Sequence, residues 1–140
     1  ESLFMKIEPL VPLKLLFNES VSPPVYGLEY YKLIANSFTI LNIHTDAINQ
    51  NVGNMRMFEA TGMGSCLLVE NGSNLNEFFE GGKEVVAYEN LDDCVEKVDF
   101  LSNNLNVATQ IGKCGQQRTL KEHTVANRCE LILGVLNEYL

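Results

Sequence analysis

The sequence has few basic residues and no long apolar run, and both absences narrow its possible functions. Ten Lys and Arg residues stand against 18 Asp and Glu residues, so the formal net charge is −8 and the pI is about 4.7. Nucleic-acid binding normally needs a basic surface, and we therefore expect no nucleic-acid partner. No apolar run reaches the length of a transmembrane helix, and no basic segment followed by an apolar one marks a signal peptide, so no membrane span is expected.

Cysteine and histidine are also scarce, and their spacing fits no usual metal or redox site. The two histidines are far apart in the sequence and no cysteine cluster lies beside them, so no metal is expected. Buried free thiols are the simplest interpretation of the cysteines, and they favour a reducing, cytoplasmic location. The cysteines are Cys66, Cys94, Cys114 and Cys129.

The glycine motifs that usually mark nucleotide-binding loops are absent. Neither a Walker loop nor a G-x-G-x-x-G fingerprint occurs. The segment "GMGS" at 62–65 ends a helical pattern and precedes an apolar run, which is the reverse of the dinucleotide order. A helix N-terminus together with one Arg can still hold a diphosphate, so a small anionic ligand is compatible with the composition.

Three short apolar runs predict β-strands at 38–44, 65–70 and 84–88. Helical patterns precede the first run and separate it from the others. Strands that are apolar throughout and alternate with helices are typical of a parallel sheet covered on both faces. The predicted fold is therefore α/β, with a Rossmann-like parallel sheet, helices on both faces and a helical C-terminus.

The helical patterns around these strands carry recognisable termini. The segment 27–37 has a broad apolar face, and a short helix is expected after Asn54, whose side chain suits an N-cap. Asn74 and Glu77 are spaced like a capping pair at the start of another short helix, and this is the preferred interpretation of Glu77.

The two ends of the chain differ in character. Three helices are expected from residue 91 onward, the second weakened by Gly112 and Gly115 and the third capped by Thr124. Residues 1–24 are apolar but interrupted by prolines, and a short helix at 13–17 is their clearest feature. We therefore predict an N-terminal remnant or linker at 1–24 and one domain at 25–140.

Ligands of open parallel sheets bind outside the carboxyl ends of the strands. The loop after the first strand leads into the helix that follows Asn54, with Gly53 allowing close approach to the backbone. Arg56 lies in the first turn and could add a forked donor to phosphate oxygens, while the Glu59 carboxylate suits hydroxyl donors such as a ribose. Together these residues are typical of a site that binds a phosphate group and a sugar.

Each of these residues also has a purely structural interpretation. Arg56 and Glu59 at i, i+3 could form a surface ion pair. His44, at the end of the first strand, could be a general acid/base or a phosphate contact, with Asp46 as a carboxylate partner, or it could be a structural histidine. His123 is best explained as a helix-junction residue.

The loop after the second strand contributes the remaining candidates. Asn71 and Gly72 follow Glu70 directly, at the same predicted edge of the sheet as His44. We count Asn71 and Gly72 among the ligand-binding candidates, and a simple turn is the alternative.

Four segments in order carry a resemblance to a known family. They are "VYGLEYYKLIANSFTILNIHTD", "NVGNMRMFEATGMGSCLLVEN", "LNEFFEGGKEVVAY" and "GQQRTLKEHTVANR". With the R-x-F-E-A-x-G-x-G core and the H-T-x-x-x-R ending, the chain from about residue 25 resembles the C-terminal part of group-1-like glycosyltransferases related to the spore maturation protein CgeB. The resemblance implies a GT-B architecture, in which this part binds a nucleoside-diphosphate sugar and a separate N-terminal domain, missing from this chain, binds the acceptor.

The resemblance also implies roles for individual residues. Glu59 matches a glutamate that contacts the ribose hydroxyls, and the backbone at Gly53, Asn54 and Met55 matches the part that holds the diphosphate. A second glutamate, which contacts the donor sugar in retaining relatives, would fall at Asn51. An amide can bond a sugar hydroxyl but supplies no negative charge. No metal and no cofactor beyond the donor substrate is implied.

Four functions follow as hypotheses. The first is the donor-binding half of a glycosyltransferase, inactive without its acceptor domain. The second is a catalytically inactive nucleotide-binding or regulatory module on the same fold, which Asn51 favours. A nucleotide-sugar epimerase is the third. A receiver-like signalling domain is the fourth, and the absence of an acidic cluster at the strand ends speaks against it.

Overall fold

The computed structural model describes residues 23–44 and 51–139, and these form a three-stranded sheet with six helices. Most of the segment 1–24, the short helix expected at 13–17, and Asp46 lie outside the described residues. The predicted order of helices and strands is confirmed. The elements are α1 (Leu28–Ala35), β1 (Thr39–Asn42), α2 (Met55–Gly62), β2 (Cys66–Glu70), α3 (Leu75–Phe78), β3 (Val86–Tyr88), α4 (Leu91–Asn103), α5 (Leu105–Glu122) and α6 (Val125–Tyr139).

The sheet is parallel and its strands lie in the order β1-β2-β3. Thr39 pairs with Cys66 at the start of the first ladder, and Glu70 pairs with Tyr88 at the end of the second. Strand β2 is central, and its first four residues are completely buried. A strand buried on both faces explains why the sequence is continuously apolar there.

Helices cover both faces of the sheet, as predicted. Alternate residues of β2 point to opposite faces, so Leu67 and Val69 join one core cluster while Cys66 joins another. The first cluster includes residues of α1, α2 and α3, and the second includes residues of α4 and α5. The α/β prediction with a helical C-terminus is therefore confirmed.

Helix α5 is continuous from Leu105 to Glu122, and its two glycines are packing positions. That these glycines weaken the helix stays a prediction. Gly112 and Gly115 are both buried. A Cβ at Gly112 would overlap the carbonyl oxygen of Gly64, and one at Gly115 would overlap that of Glu84. Only glycine lets this helix approach the backbone beside β2 and β3 so closely.

A contact between two hydroxyl groups joins α5 to α2. Thr61 Oγ1 and Thr119 Oγ1 are 2.6 Å apart, and both side chains are buried. Thr61 Oγ1 also donates to the carbonyl of Met57 one turn earlier, so Thr119 provides the hydrogen that completes the contact. Helix α2 is thus fixed on its inner side, and its N-terminal turn faces outward at the strand ends.

Some predicted apolar faces are not buried. Helix α1 buries only Ile34, although Leu28, Tyr31 and Leu33 belonged to its predicted face. Helix α4 buries Cys94 and Leu101 and leaves the apolar residues between them exposed. Periodicity identified these helices correctly, but it cannot show how many apolar residues the other described elements cover.

Two smaller predictions about side chains are also wrong. Cys129 is exposed, while Cys66 and Cys94 are buried as expected and Cys114 is partly buried. Asn74 makes no capping bond to its helix, so the Asn74–Glu77 capping pair does not form. The predicted cap at Thr124 is confirmed, because its Oγ1 accepts from the backbone N–H of Asn127 at 3.3 Å.

Replacing Gly112 by Ala should destabilise the protein because the added methyl group meets the backbone of Gly64. Overpacking of this kind costs about 1–3 kcal/mol. The matched control is Gly134→Ala in α6, where an added Cβ meets nothing within 4 Å. That change should be neutral or stabilise by up to about 1 kcal/mol. Urea unfolding measures both, and equal free energies of unfolding for the two variants would contradict the packing argument.

Candidate functional site

The carboxyl ends of the three strands are joined by side-chain hydrogen bonds. The backbone N–H of His44, after β1, donates to Glu70 Oε2 at the end of β2, with a distance of 2.7 Å. The hydroxyl of Tyr88, at the end of β3, lies 3.4 Å from the carbonyl of Asn42. The strand ends predicted to share one edge of the sheet therefore meet there.

The turn that enters α2, residues 52–54, is held by three side chains from two other segments, the end of β1 and the start of α3. Asn74 makes two bonds to the backbone of Val52, one to its N–H at 2.7 Å and one from its amide to the Val52 carbonyl at 2.9 Å. The N–H of Gly53 donates to His44 Nε2 at 3.3 Å. Gly53 has φ 144°, a value that favours glycine, so the turn depends on this residue type.

A reciprocal amide pair fixes the next residue of the turn. Asn42 Nδ2 donates to Asn54 Oδ1 at 3.0 Å, and Asn54 Nδ2 donates to Asn42 Oδ1 at 3.1 Å. Asn54 Oδ1 also accepts from the N–H of Met57 at 3.3 Å, which confirms the predicted N-cap. Asn42 is only 2% exposed, and Asn54 gives this buried amide its two shorter side-chain hydrogen bonds.

His44 is a buried, neutral histidine. Its side chain is 5% exposed. Burial lowers the pKa of His44, and the nearby Glu70 carboxylate opposes this effect without reversing it. Since Nε2 accepts from Gly53, the ring proton belongs on Nδ1, which has no hydrogen-bond partner within the described residues and lies 3.5 Å from Glu70 Oε2. These contacts favour the structural interpretation of His44.

Arg56 and Glu59 do not pair with each other; both contact Tyr30 of α1. The Arg56 guanidinium carbon lies 5.7 Å from the centre of the Tyr30 ring, within the range of a cation–π interaction. The Tyr30 hydroxyl donates to Glu59 Oε2 at 2.7 Å, and burial together with this bond raises the pKa of Tyr30. Tyr31 adds a longer contact of 3.5 Å to the other Glu59 oxygen. The ion-pair alternative for Arg56 and Glu59 is therefore wrong.

These residues line an open groove of about 460 Å³ between α1 and the start of α2, which we call the α1–α2 groove. Within the described segments, no protein acceptor is present for the backbone N–H groups of Asn54, Met55 and Arg56. Such N–H groups carry the partial positive charge of a helix N-terminus. The groove is lined by Val25, Tyr26, Gly27, Tyr30, Asn54, Met55, Arg56 and Glu59.

The remaining candidates lie in neighbouring loops with other contacts. Asn51 is exposed, and its Oδ1 accepts from Ser73 Oγ at 2.7 Å. The amide of Asn71 donates to Glu89 at 2.7 Å, and the carbonyl of Gly72 accepts from the N–H of Leu75 at 3.0 Å. No described contact joins Asn71 or Gly72 to the α1–α2 groove, and their ligand-binding role stays a prediction.

His123 is part of an aromatic cluster behind α2. Its Nε2 lies 2.9 Å from the carbonyl of Phe78, and its ring packs against Phe58 and Phe79. The prediction of a helix-junction residue is confirmed, since the backbone at His123 ends α5.

Sequence reasoning missed three residues of the site. Asn42 is a buried amide that follows the apolar residues Ile40 and Leu41 in β1, and this polar interruption is the available signal. The spacing predicts a helix cap at Asn74, whereas its side-chain amide bonds the backbone of Val52. Tyr30 was grouped with the predicted helix, and nothing in its spacing distinguishes a residue that contacts α2 from an exposed one.

The family model described as glycosyl transferase-like matches residues 11–134, which include every residue of the α1–α2 groove. The chain belongs to this glycosyl transferase-like family. No curated protein and no solved structure gives a match. The closer relation to CgeB-like proteins stays a prediction.

Two general findings complete the description of the site. Across 23–44 and 51–139, no group of three or more His, Cys, Asp or Glu side chains is arranged to hold a metal ion. None of the described helices combines the length and the apolar character that crossing a membrane requires.

Asn54→Ala should lower the free energy of unfolding by about 2–4 kcal/mol. It removes a helix cap worth about 1 kcal/mol and leaves the buried Asn42 amide without its partner, which costs about 1–3 kcal/mol more. The control is Asn90→Ala, which removes only the cap of α4, an exposed bond from Asp93 N–H at 3.0 Å. Denaturant unfolding of both variants gives the difference, and losses of the same size would show that the amide pair contributes nothing.

The low pKa of His44 predicts a loss of stability in mild acid. The unfolded histidine binds a proton at a higher pH than the folded one, so the stabilisation is complete above about pH 6.5 and is lost as the pH falls further. His44→Gln, which keeps a neutral acceptor, should reduce this dependence. Unfolding free energies measured between about pH 7.5 and pH 5.5 test it. An unchanged slope in the variant would contradict the assignment.

Proposed function

We propose that the chain binds the nucleoside-diphosphate part of a nucleotide sugar in the α1–α2 groove, as the donor-binding part of a glycosyltransferase. One observation carries the proposal: backbone N–H groups with no acceptor among the described residues, a guanidinium and a carboxylate lie together at a helix N-terminus, in a member of a glycosyl transferase-like family. The acceptor site is proposed to lie on a separate domain, as the resemblance to GT-B enzymes implies.

The diphosphate is proposed to lie across the start of α2. The N–H groups of Asn54, Met55 and Arg56 provide donors and the helix dipole adds positive charge, an arrangement that binds phosphate in many proteins. The Arg56 side chain is exposed beside these groups and can add two parallel hydrogen bonds to phosphate oxygens. This local positive field supports anion binding in a chain whose net charge is −8.

The ribose is proposed to lie beside Glu59. The carboxylate accepts from Tyr30 and, more weakly, from Tyr31, and the two hydroxyls fix its orientation. A carboxylate has about four acceptor positions, so two remain for the ribose hydroxyls. Because Glu59 does not pair with Arg56, the carboxylate is available to the ribose and the guanidinium to the diphosphate.

The proposed mechanism needs no covalent intermediate on the protein. Transfer requires stabilisation of the departing nucleoside diphosphate, and fixed N–H dipoles with a guanidinium supply it where the negative charge develops. The donor sugar would extend from the diphosphate towards Asn51, whose amide could bond a sugar hydroxyl.

A catalytically inactive nucleotide-binding module is the second candidate. The observation that favours it is Asn51, whose side-chain oxygen is already bonded to Ser73 and which carries no negative charge. This candidate shares the nucleotide site with the first one and differs only in turnover. Assays of donor hydrolysis by the chain joined to an acceptor domain would separate the two.

UDP, GDP and ADP titrated into the protein by calorimetry should identify one nucleotide that binds. Arg56→Gln should weaken that binding by about tenfold or more, because hydrogen bonds to charged groups contribute about 1.5–3 kcal/mol. Lys83→Gln is the matched control, since Lys83 is exposed, precedes β3 rather than following it, and forms an ion pair with Glu80. Equal binding by the two variants would contradict the phosphate role of Arg56.

A thermodynamic cycle tests the ribose contact. The preferred nucleotide and its 2′,3′-dideoxy analogue are compared on the wild type and on Glu59→Ala. The wild type should prefer the ribonucleotide by about tenfold, and the variant should bind both alike, since a coupling energy reports direct contact. A preference that survives the loss of Glu59 would assign the hydroxyls to another residue.

A further inference from the structure

We propose that His44 is a positioning residue for the donor site: as a neutral imidazole it accepts the Gly53 N–H and so holds the turn that presents the N-terminus of α2 to the diphosphate. The inference rests on the proposed function, because it assigns a role within the same groove. This positioning role differs from acid/base catalysis in two ways. It acts through the backbone of Gly53, and it requires that His44 stay neutral throughout.

The geometry of the turn carries the first step. Gly53 immediately precedes Asn54, the first of the three residues whose N–H groups have no acceptor in the described structure. Its own N–H is used by His44 Nε2 and is therefore not available to a phosphate. The contribution of Gly53 is thus to fix the direction of the following N–H groups, with a φ of 144° that depends on glycine.

The second step is that the acceptor role fixes the protonation state. Two donors approach Nε2, the Gly53 N–H at 3.3 Å and Asn42 Nδ2 at 3.5 Å. If Nε2 carried a proton, that hydrogen would point at the hydrogens of both donors, and Nε2 could accept neither bond. The ring must therefore carry its proton on Nδ1, on the side of Glu70 Oε2, and remain neutral.

The third step concerns Glu70, which orients the histidine from the central strand. Its Oε2 accepts the His44 backbone N–H at 2.7 Å and lies 3.5 Å from Nδ1. The chain of contacts therefore runs from Glu70 to His44 to Gly53 and ends at the groove. Because all three residues belong to strand ends or to the turn, the sheet itself sets the position of the groove's N–H groups.

Among the residues that the structure describes, few charged or titratable groups lie near the ring. Glu70 approaches from β2, and Tyr88 of β3 and Cys94 of α4 lie close enough to Glu70 that its charge contributes to raising their pKa values. Tyr88 and Cys94 stay neutral at physiological pH, because burial is the larger cause of both shifts and acts in the same direction. Among the described groups, Glu70 is therefore the charge that tunes the protonation of His44.

Acidification should then release the turn. Once Nε2 is protonated it cannot accept from Gly53, and the donors that face it are repelled. Because burial lowers the pKa of His44, nucleotide-sugar affinity should stay constant from about pH 7.5 to about pH 6.5, the ordinary histidine pKa, and fall progressively below that value. A merely structural histidine that only fills space would leave affinity independent of pH below that value as well.

The test titrates the protein with UDP-glucose, GDP-mannose and ADP-glucose, whose diphosphate diesters keep their charge over this pH range. For whichever probe binds, His44→Ala should weaken binding by about tenfold at neutral pH, as expected for loss of a buried acceptor. His44→Gln, which offers a neutral amide oxygen, should bind within about threefold of the wild type and lose the pH dependence. Glu70→Gln should shift the midpoint of the acid loss to lower pH, because it removes the charge that favours the protonated ring.

The outcomes separate the two proposals. If His44→Ala and the wild type bind a probe equally with equal pH profiles, the positioning role is overturned and the donor site stands. If the wild type binds none of the probes at neutral pH, the donor-site proposal fails and the positioning role with it. If His44→Ala does not fold, the other two variants decide. A pH-independent affinity in His44→Gln and a lower midpoint in Glu70→Gln support the positioning role. Affinity profiles like that of the wild type in both variants overturn it.

Discussion

The reciprocal amide pair between Asn42 and Asn54 is the interaction on which the candidate site depends. It joins the end of β1 to the start of α2. Asn42 is buried and carries two donors and an acceptor that must be satisfied, so leaving it unpaired is costly. The same Asn54 oxygen caps α2, and the packing of the core therefore determines where the helix begins and which N–H groups stay available at the α1–α2 groove.

The close approach of α5 to the sheet backbone helps to position α2 from its inner side. Gly112 and Gly115 allow the helix to lie against the backbone beside β2 and β3, and the Thr61–Thr119 contact then fixes α2 from behind. Contacts therefore hold α2 both on its inner face and at its first turn. Preorganised dipoles of this kind stabilise developing charge without a reorganisation cost, which is what departure of a nucleoside diphosphate requires.

The sequence predicted the order of the elements and the parallel sheet well, because uninterrupted apolar strands between helices have few other solutions. It also placed Asn54 correctly as a cap. It could not reveal that Arg56 and Glu59 separate to contact Tyr30, because that depends on how α1 packs beside α2. Nor could it show that Asn74 serves a distant backbone rather than its own helix, or that the glycines of α5 are packing positions, since each depends on a neighbour remote in sequence.

The measurement that tests the central claim most directly is backbone amide mapping by NMR with the preferred nucleoside diphosphate. The account predicts that the largest shifts occur at the amides of Asn54, Met55 and Arg56, with smaller ones at Tyr30 and Glu59, and that the changes saturate together with one affinity. Shifts confined to another surface, such as the cleft lined by Lys121, Asn127 and Leu131 between α5 and α6, would contradict it, because the nucleotide would then bind away from the N-terminus of α2.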